Sequence, residues 1–380
     1  MSAGTAVCGF YGRDNLGDEA ILAGLCGALA EARPSESALA LTVAPQRTRE
    51  QHGVATAYYQ ASATARRGLR RQAGLVRALG SRRGFILGGG DLLRDSPTQE
   101  VVGAWLEPLR TAQLMRRRTA VVGISVGDLH RPASLEAVRK TLDGVSFVIT
   151  REQESRRRLL ALDVQVSVDV APDLALRLFK PRPPRAASTA APRVLVSVRG
   201  LADRSGAETS AAHAGALAAL ASCLDALSAE GAAIELVPLR SRRDGYQPVD
   251  DDYVASLELA RLATRGRHFL VHRHVDGVAE LRDLLAGADL VLGMRLHSVI
   301  MAAGLRVPVL ALAYDRKVTQ FCDEVGLGED CHDLDGLSAE ALLAVARQKL
   351  AAPEPAAPHA ALLAYEAREH VVVDRLREWR

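Results

Sequence analysis

Short apolar runs that stop at a glycine or a polar turn alternate along this chain with longer stretches of helical spacing. Ala6 to Tyr11 predicts a first strand, which enters the Gly12 to Glu19 turn and a helix from Ala20 to about Ala32. Further strands are predicted at Ala38 to Ala44, Gly84 to Leu87, Thr119 to Ile124, Phe147 to Thr150 and Val164 to Val170. Helical patterns fall near 65–80, 98–116, 134–142 and 152–161. Strand and helix alternating at this pitch imply a parallel sheet with helices on both faces. The Pro/Ala-rich stretch Lys180 to Pro192 interrupts the pattern as a linker would. A second alternating set follows. Its strands are Val194 to Val198, Ala233 to Pro238, His268 to Val271, Asp289 to Leu292 and Val307 to Ala313, with helices near 208–230, 251–264, 277–287, 297–304 and 316–325. The reading is an α/β protein of two Rossmann-like domains, residues 1–180 and 194–354, joined by a linker at 181–193. A final helix over 355–380 is expected to pack back on the first domain.

In open parallel sheets ligands collect outside the carboxyl ends of the strands, and in two-domain proteins of this kind in the cleft between the halves. Gly12 to Gly17 is one glycine-rich turn at such an edge, and Gly88-Gly89-Gly90-Asp91, closing the Gly84 strand, reads as a second. From the other half come Arg199, the Arg295/His297 pair in Gly293-Met294-Arg295-Leu296-His297-Ser298, and Lys317 in Tyr314-Asp315-Arg316-Lys317. An arginine offers a rigid fork of donors for carboxylate or phosphate, and a histidine gives or takes a proton near neutrality. The pair therefore suits an anion clamp beside an acid/base group.

Composition narrows the classes. A chain of 380 residues with 48% apolar content can fill two cores, and only 4% aromatic residues argues against a stacking surface for single-stranded nucleic acid. The net charge of +3 conceals a skew: the lysines are only Lys140, Lys180, Lys317 and Lys349, and every other cation of this kind is arginine. A surviving lysine is the more informative residue. Five cysteines without zinc-type spacing point to reduced thiols and a cytoplasmic protein. No apolar run approaches the ~20 residues of a membrane span. Basic runs at Arg66-Arg67, Arg70-Arg71, Arg82-Arg83, Arg116 to Arg118 and Arg156 to Arg158 read as solvated helical faces that also allow peripheral contact with an anionic inner membrane face.

Several motifs are weak or absent. The Gly12 to Gly17 spacing fits neither a dinucleotide fingerprint nor a P-loop, and Asp18 and Glu19 sit where an anion would go, as caps or as direct ligand contacts. Asp250-Asp251-Asp252 reads as a capping, solvated segment rather than a metal cluster, and His268, His272 and His274 lack the company a metal site needs. No metal or cofactor is expected.

Six blocks occur in a telling order: residues 9–22 (Gly-Phe-Tyr-Gly-Arg-Asp-Asn-Leu-Gly-Asp-Glu-Ala-Ile-Leu), 88–93 (Gly-Gly-Gly-Asp-Leu-Leu), 150–155 (Thr-Arg-Glu-Gln-Glu-Ser), 169–175 (Asp-Val-Ala-Pro-Asp-Leu-Ala), 293–298 and 314–318 (Tyr-Asp-Arg-Lys-Val). Together they resemble the polysaccharide pyruvyl transferases, and most of all the bacterial cell-wall branch involved in S-layer anchoring. The resemblance implies a GT-B-like pair of domains, phosphoenolpyruvate as co-substrate and donor, and a saccharide acceptor, often lipid-linked. It puts Arg295, His297 and Lys317 at the donor site, with Arg151 and Arg199 as further donor arginines. Arg13 and Asp14 depart from the smaller or aromatic residues of many relatives, and Arg316 from a common proline.

The implied chemistry suits the residues. Phosphoenolpyruvate carries two anionic groups for Arg295, Arg199 and Lys317, and its methylene carbon needs a general acid, for which His297 is the candidate. The acceptor is expected on the first domain, with Asn15, Asp18, Gly89 and Asp91 within reach of sugar hydroxyls. A GT-B nucleotide-sugar glycosyltransferase and a non-catalytic glycan- or nucleotide-binding protein are the alternatives.

Overall fold

A computed structural model of the chain describes residues 4–61, 68–95, 102–181, 191–200, 211–242, 251–351 and 359–379. Most of the expected linker, residues 182–190, lies outside the described residues, as do Arg66, Arg67 and Asp250. Contacts divide the chain into two compact units: Met1–Arg13, Asp18–Leu178 and Tyr365–Arg380 form the first, Asp14–Gly17 and Phe179–Ala364 the second.

The first unit is built on a seven-stranded parallel sheet. Its strands are β1 (Gly4–Cys8), β2 (Ser37–Thr42), β3 (Ala55–Tyr58), β4 (Gly84–Leu93), β5 (Arg118–Val126), β6 (Val148–Thr150) and β7 (Val168–Val170), in the order β3-β2-β1-β4-β5-β6-β7. β1 is buried throughout, as a parallel strand covered on both faces must be. Its period of two sends Ala6 and Cys8 into one core with Leu87 and Val121, and Val7 into the opposite one with Ile21, Leu25 and Ile86. The helices are α1 (Leu16–Ala32), α2 (Pro45–His52), α3 (Gly68–Gly80), α4 (Val102–Leu114), α5 (Pro132–Leu142) and α6 (Gln153–Ala161).

The second unit carries a six-stranded parallel sheet of β8 (Arg193–Ser197), β9 (Ala233–Leu236), β10 (Leu270–Val271), β11 (Leu290–Gly293), β12 (Val309–Ala313) and β13 (Cys331–Asp333), in the order β10-β9-β8-β11-β12-β13. Around it run α7 (Ala211–Ala229), α8 (Asp252–Leu262), α9 (Val278–Ala286), α10 (Leu296–Leu305), α11 (Arg316–Val325) and α12 (Ala339–Ala351). Both sheets have the doubly wound order, so each has a reversal point, between β1 and β4 in one and β8 and β11 in the other.

The chain ends in two helices, α13 (Ala360–Ala367) and α14 (His370–Glu378), where a single one is expected from the pattern. Within the first unit Leu376 and Trp379 join the core of Val7 and Ile21, and Trp379 meets Phe147 edge-on. Arg33 Nε donates to the Leu376 carbonyl (2.7 Å) and Arg118 Nη1 to that of Trp379 (2.7 Å). Among the described residues no helix is long and apolar enough to cross a membrane.

Two local expectations need correction. The triglycine does not close a strand. β4 runs through it to Leu93, paired with β5 from Gly84↔Arg118 to Leu93↔Val126, with a register shift only beyond Asp91. Gly89 has a left-handed backbone (φ 73°) inside this strand, and a side chain on it would collide with Ile21 of α1. The basic runs, where described, are only partly solvated: Arg70, Arg83, Arg116 and Arg157 are exposed, while others are tied down. Arg71 pairs with Glu107, Arg117 donates to the Gly80 carbonyl, Arg118 binds Glu36, Arg156 donates to the Val168 carbonyl, and Arg158 bridges Glu154 and Asp128.

Candidate functional site at the carboxyl edge of the second sheet

The reversal point of the second sheet brings two strand exits side by side. Gly293 of β11 pairs with Ser197 of β8, and the amide of Met294 donates to the Ser197 carbonyl (2.8 Å). Arg199 therefore leaves β8 next to the start of α10, its own amide meeting the Met294 sulfur (3.3 Å). One strand further, β12 delivers Tyr314. Arg199 Nη1 donates to the Tyr314 hydroxyl at 2.7 Å, and the guanidinium carbon lies 4.9 Å from the ring centroid.

Lys317 comes to the same phenol from the first turn of α11. Asp315 caps that helix by accepting from the Lys317 amide (3.2 Å) and also pairs with its ammonium (3.2 Å), which stands 5.5 Å from the Tyr314 ring centre. Burial pushes the Tyr314 phenol up. Lys317, Arg199 and Arg295 outweigh both that and the Asp315 charge, and hold it below the ordinary tyrosine value. Arg199, Arg295 and Lys317, far apart in sequence, thus act on one hydroxyl.

Arg295 occupies the N-cap position of α10, and its guanidinium grips Asp252 at the start of α8, with Nε 3.0 Å from each carboxylate oxygen and Nη2 on Oδ1. Asp252 is fully buried and also accepts from the amides of Leu239 (3.1 Å) and Arg240 (2.9 Å). The acidic segment is therefore only half what its composition suggests. Asp251 does cap α8, accepting from the Tyr253 amide (3.0 Å), but Asp252 is not solvated: it anchors Arg295.

His297 lies in the first turn of α10, half-buried. Its ring packs on Gly17, which belongs to the same unit through the short segment Asp14–Gly17. That segment is pinned by the Leu16 amide donating to the Leu239 carbonyl (2.8 Å) and by an antiparallel bridge between Asn15 and Arg240. Asn15 Oδ1 accepts from the Gly17 amide (3.2 Å), bracing the turn, and Asp14 takes a left-handed backbone (φ 54°) that a short polar residue tolerates. The departure at Arg13 has a local role as well, its guanidinium resting 4.7 Å over Phe10.

The remaining sequence-derived candidates belong to the first unit. Arg151 follows β6 and is 4% exposed. It donates to Asp173 (2.9 Å) and Ser125 (2.5 Å), and Asp173 and Glu152 raise its guanidinium against the opposing effect of burial. The Tyr365 hydroxyl ties the same knot, donating to the Arg151 carbonyl (3.1 Å) and accepting from the Asp173 amide (3.0 Å). Asp18 lies over Gly90, Asp91 pairs with Arg94 (3.3 Å), and Gly89 is accounted for by its contact with Ile21. Glu19 braces its own turn, accepting from the Gly12 amide (2.7 Å) and pairing with His52 (2.8 Å). In the second unit His272, set aside above as a metal ligand, pairs with Glu235 (3.2 Å).

Sequence reasoning missed three residues that shape this edge. Tyr314 heads one of the six blocks and could have been singled out as the first residue past β12. Asp252 shows locally only as part of an acidic cap and Gly17 only as the end of a glycine-rich turn, because the partners that give them their roles here are 43 and 280 positions away.

Solved structures share the fold of this chain over nearly its whole length at low identity. A Listeria monocytogenes protein assigned as a UDP-N-acetylglucosamine 2-epimerase aligns with TM-score 0.64 and 13% identity, covering 98% of this chain and 95% of that one. The UDP-GlcNAc 2-epimerase from Methanocaldococcus jannaschii gives 0.61 and 11%, covering 98% of each. A glycosyltransferase from Rickettsia africae gives 0.56 and 11%, covering 99% and 95%. At these identities the likeness establishes the fold, two GT-B-like Rossmann domains. No curated protein matches the chain. The model of the family described as polysaccharide pyruvyl transferase matches residues 15–316, a span that holds Arg199, Arg295, His297, Tyr314 and Asp252, and by that match the chain belongs to the polysaccharide pyruvyl transferase family.

Proposed function

We propose that this protein forms a pyruvate ketal on a sugar of a cell-wall or related polysaccharide precursor, using phosphoenolpyruvate and releasing phosphate. The observation that carries the reading is the meeting of Arg199 and Lys317 on one tyrosine at the carboxyl edge of the second sheet, with Arg295 held by Asp252 at the neighbouring strand exit, in a chain of this family. Three cations match a ligand with a carboxylate and a phosphate. Arg295 keeps its fork oriented by Asp252, and Lys317 serves as a point charge. His297 is the general acid toward the methylene carbon, and Arg199 completes the donor site. Arg151, committed to Asp173, braces the first sheet's edge and touches the donor only indirectly. Asp18 and Asp91 remain the candidates for the saccharide on the first unit, with Gly89 setting the backbone beside Asp91, while Asn15 braces its own turn in the second unit. The acceptor is a lipid-linked glycan of the kind used in S-layer anchoring, met at the cytoplasmic membrane face, and no cofactor takes part.

A phosphate-release assay with phosphoenolpyruvate, with and without lipid-linked or synthetic mannosamine-containing glycans, tests the reading. Release that depends on both substrates supports it. Turnover of a nucleotide sugar in place of phosphoenolpyruvate would favour the second reading, a glycosyltransferase, for which the fold likeness to sugar-nucleotide proteins speaks.

A further inference from the structure

Ketal formation from phosphoenolpyruvate moves two protons. Two acceptor hydroxyls each lose one as they bond to C2, the C2=C3 double bond opens, and the C2–O bond to phosphate breaks. One proton ends on C3, which becomes a methyl group, and the other leaves on hydrogen phosphate. The charge of three on the ionised donor is then shared as one on the product carboxylate and two on the phosphate. A single acid such as His297 serves C3. Departure of phosphate calls for a second group that holds a proton beside the anion and takes it back from a hydroxyl.

Resting on the pyruvyl-transfer reading, we propose that Tyr314 is this second proton-transfer residue, its phenol giving a proton to the departing phosphate and recovering it from the second attacking hydroxyl. Arg199 Nη1 donates to the phenol oxygen at 2.7 Å, so that oxygen is an acceptor there and its own hydrogen is the one available for donation. The transient phenolate is stabilised by the same groups that would hold the phosphate: Arg199 from the end of β8, Arg295 from the end of β11, and Lys317 from α11. Asp315 opposes them, and it is paired with Lys317 at 3.2 Å. The ring packs against the core of the second unit, which includes Leu312 and Leu334. Nothing in the helical or strand pattern requires a phenol here; a phenylalanine would pack as well.

Tyr314→Phe is the discriminating variant, since it removes the hydroxyl and keeps the ring under Arg199. Three measurements are made on wild type and variant: phosphoenolpyruvate binding by calorimetry, exchange of the donor methylene protons in deuterated water by NMR, and phosphate release. The acceptors are synthetic disaccharides ending in N-acetylmannosamine or in galactose. Expected are donor affinity and methylene exchange within about threefold of wild type, with phosphate release lowered on the order of 10²- to 10³-fold. The alkaline limb of the wild-type rate profile, set by Tyr314 among Lys317, Arg199, Arg295 and Asp315, should vanish in the variant. Phosphate release within about threefold of wild type overturns the assignment. Parallel loss of binding, exchange and release overturns it too, leaving Tyr314 as a brace for Arg199. A wild-type protein that neither binds phosphoenolpyruvate nor exchanges its methylene protons instead defeats the pyruvyl-transfer reading itself, and the role for Tyr314 falls with it.

Discussion

Gly17 lies directly under the imidazole of His297: a Cβ built on the glycine would stand 2.5 Å from His297 Cγ and 2.9 Å from Cε1, and closer still to Nδ1. The glycine is in the first turn of α1, where alanine is the better helix former by roughly 0.8–1 kcal/mol, so the backbone gives no reason to exclude a methyl group. The ring does. Gly17→Ala should leave the thermal midpoint unchanged or slightly raised while displacing His297. A misplaced proton donor lowers turnover by roughly 10- to 100-fold with little change in donor affinity. Steady-state kinetics beside calorimetry check this, and a fully active Gly17→Ala protein would show that the His297 ring position does not matter.

His297→Gln and Lys317→Ala should separate chemistry from binding. Removing a general acid costs roughly 10²- to 10⁴-fold in rate, whereas removing a charge-assisted contact costs about 1.5–3 kcal/mol of affinity. The glutamine variant should therefore bind phosphoenolpyruvate nearly normally and turn over poorly, and the alanine variant should bind it at least tenfold more weakly. A His297→Gln protein within about threefold of wild-type turnover would remove the histidine from its proposed role.

Asp252 holds the Arg295 fork from a fully buried position, so the orientation of the guanidinium and the compensation of its charge depend on it. Truncating one partner of a buried ion pair costs about 3–5 kcal/mol, because the other charge is left in an apolar setting. Asp252→Ala should destabilise the fold by that order in denaturant titrations. Asp252→Asn, which keeps an oxygen for the Leu239 and Arg240 amides, should cost less stability yet still loosen the donor site. If donor affinity in the asparagine variant matches wild type, Arg295 is oriented by something other than this carboxylate.

The docking of α14 has a predictable pH dependence. Glu36 accepts from Thr5 (2.9 Å), Arg33 (2.7 Å) and Arg118 (3.2 Å), and the two arginines in turn hold the Leu376 and Trp379 carbonyls. Burial pushes the Glu36 carboxyl up, but these donors prevail and hold it below its ordinary value of 4.5. A carboxyl depressed in the folded state stabilises it above the unfolded value and loses that contribution as pH falls through the folded one. Glu36→Gln should therefore lower the melting temperature at pH 7, with the gap from wild type closing below about pH 4. A gap independent of pH would mean that the side chain acts through shape alone.

Periodicity alone was enough to read two Rossmann-like halves, because strands such as β8 and β11 are near-continuous apolar runs ending at a serine or a glycine, and that pattern is local. The same locality explains the misses. β3 and α2 are mostly exposed or polar, β13 is a three-residue Cys-His-Asp strand, and the glycines of β4 look like a turn until the pairing with β5 is seen. Arg295, His297 and Lys317 could be picked out because a polar residue at a strand exit is visible in one dimension. What could not be read is which side chains meet. Only the tertiary structure joins the Gly17 segment to the His297 turn, buries Asp252 under Arg295, and sets Tyr314 among Arg199, Arg295 and Lys317. Those pairings lie from 3 (Tyr314 and Lys317) to 280 (Gly17 and His297) positions apart, and their energies come from burial and charge proximity, which no local propensity encodes.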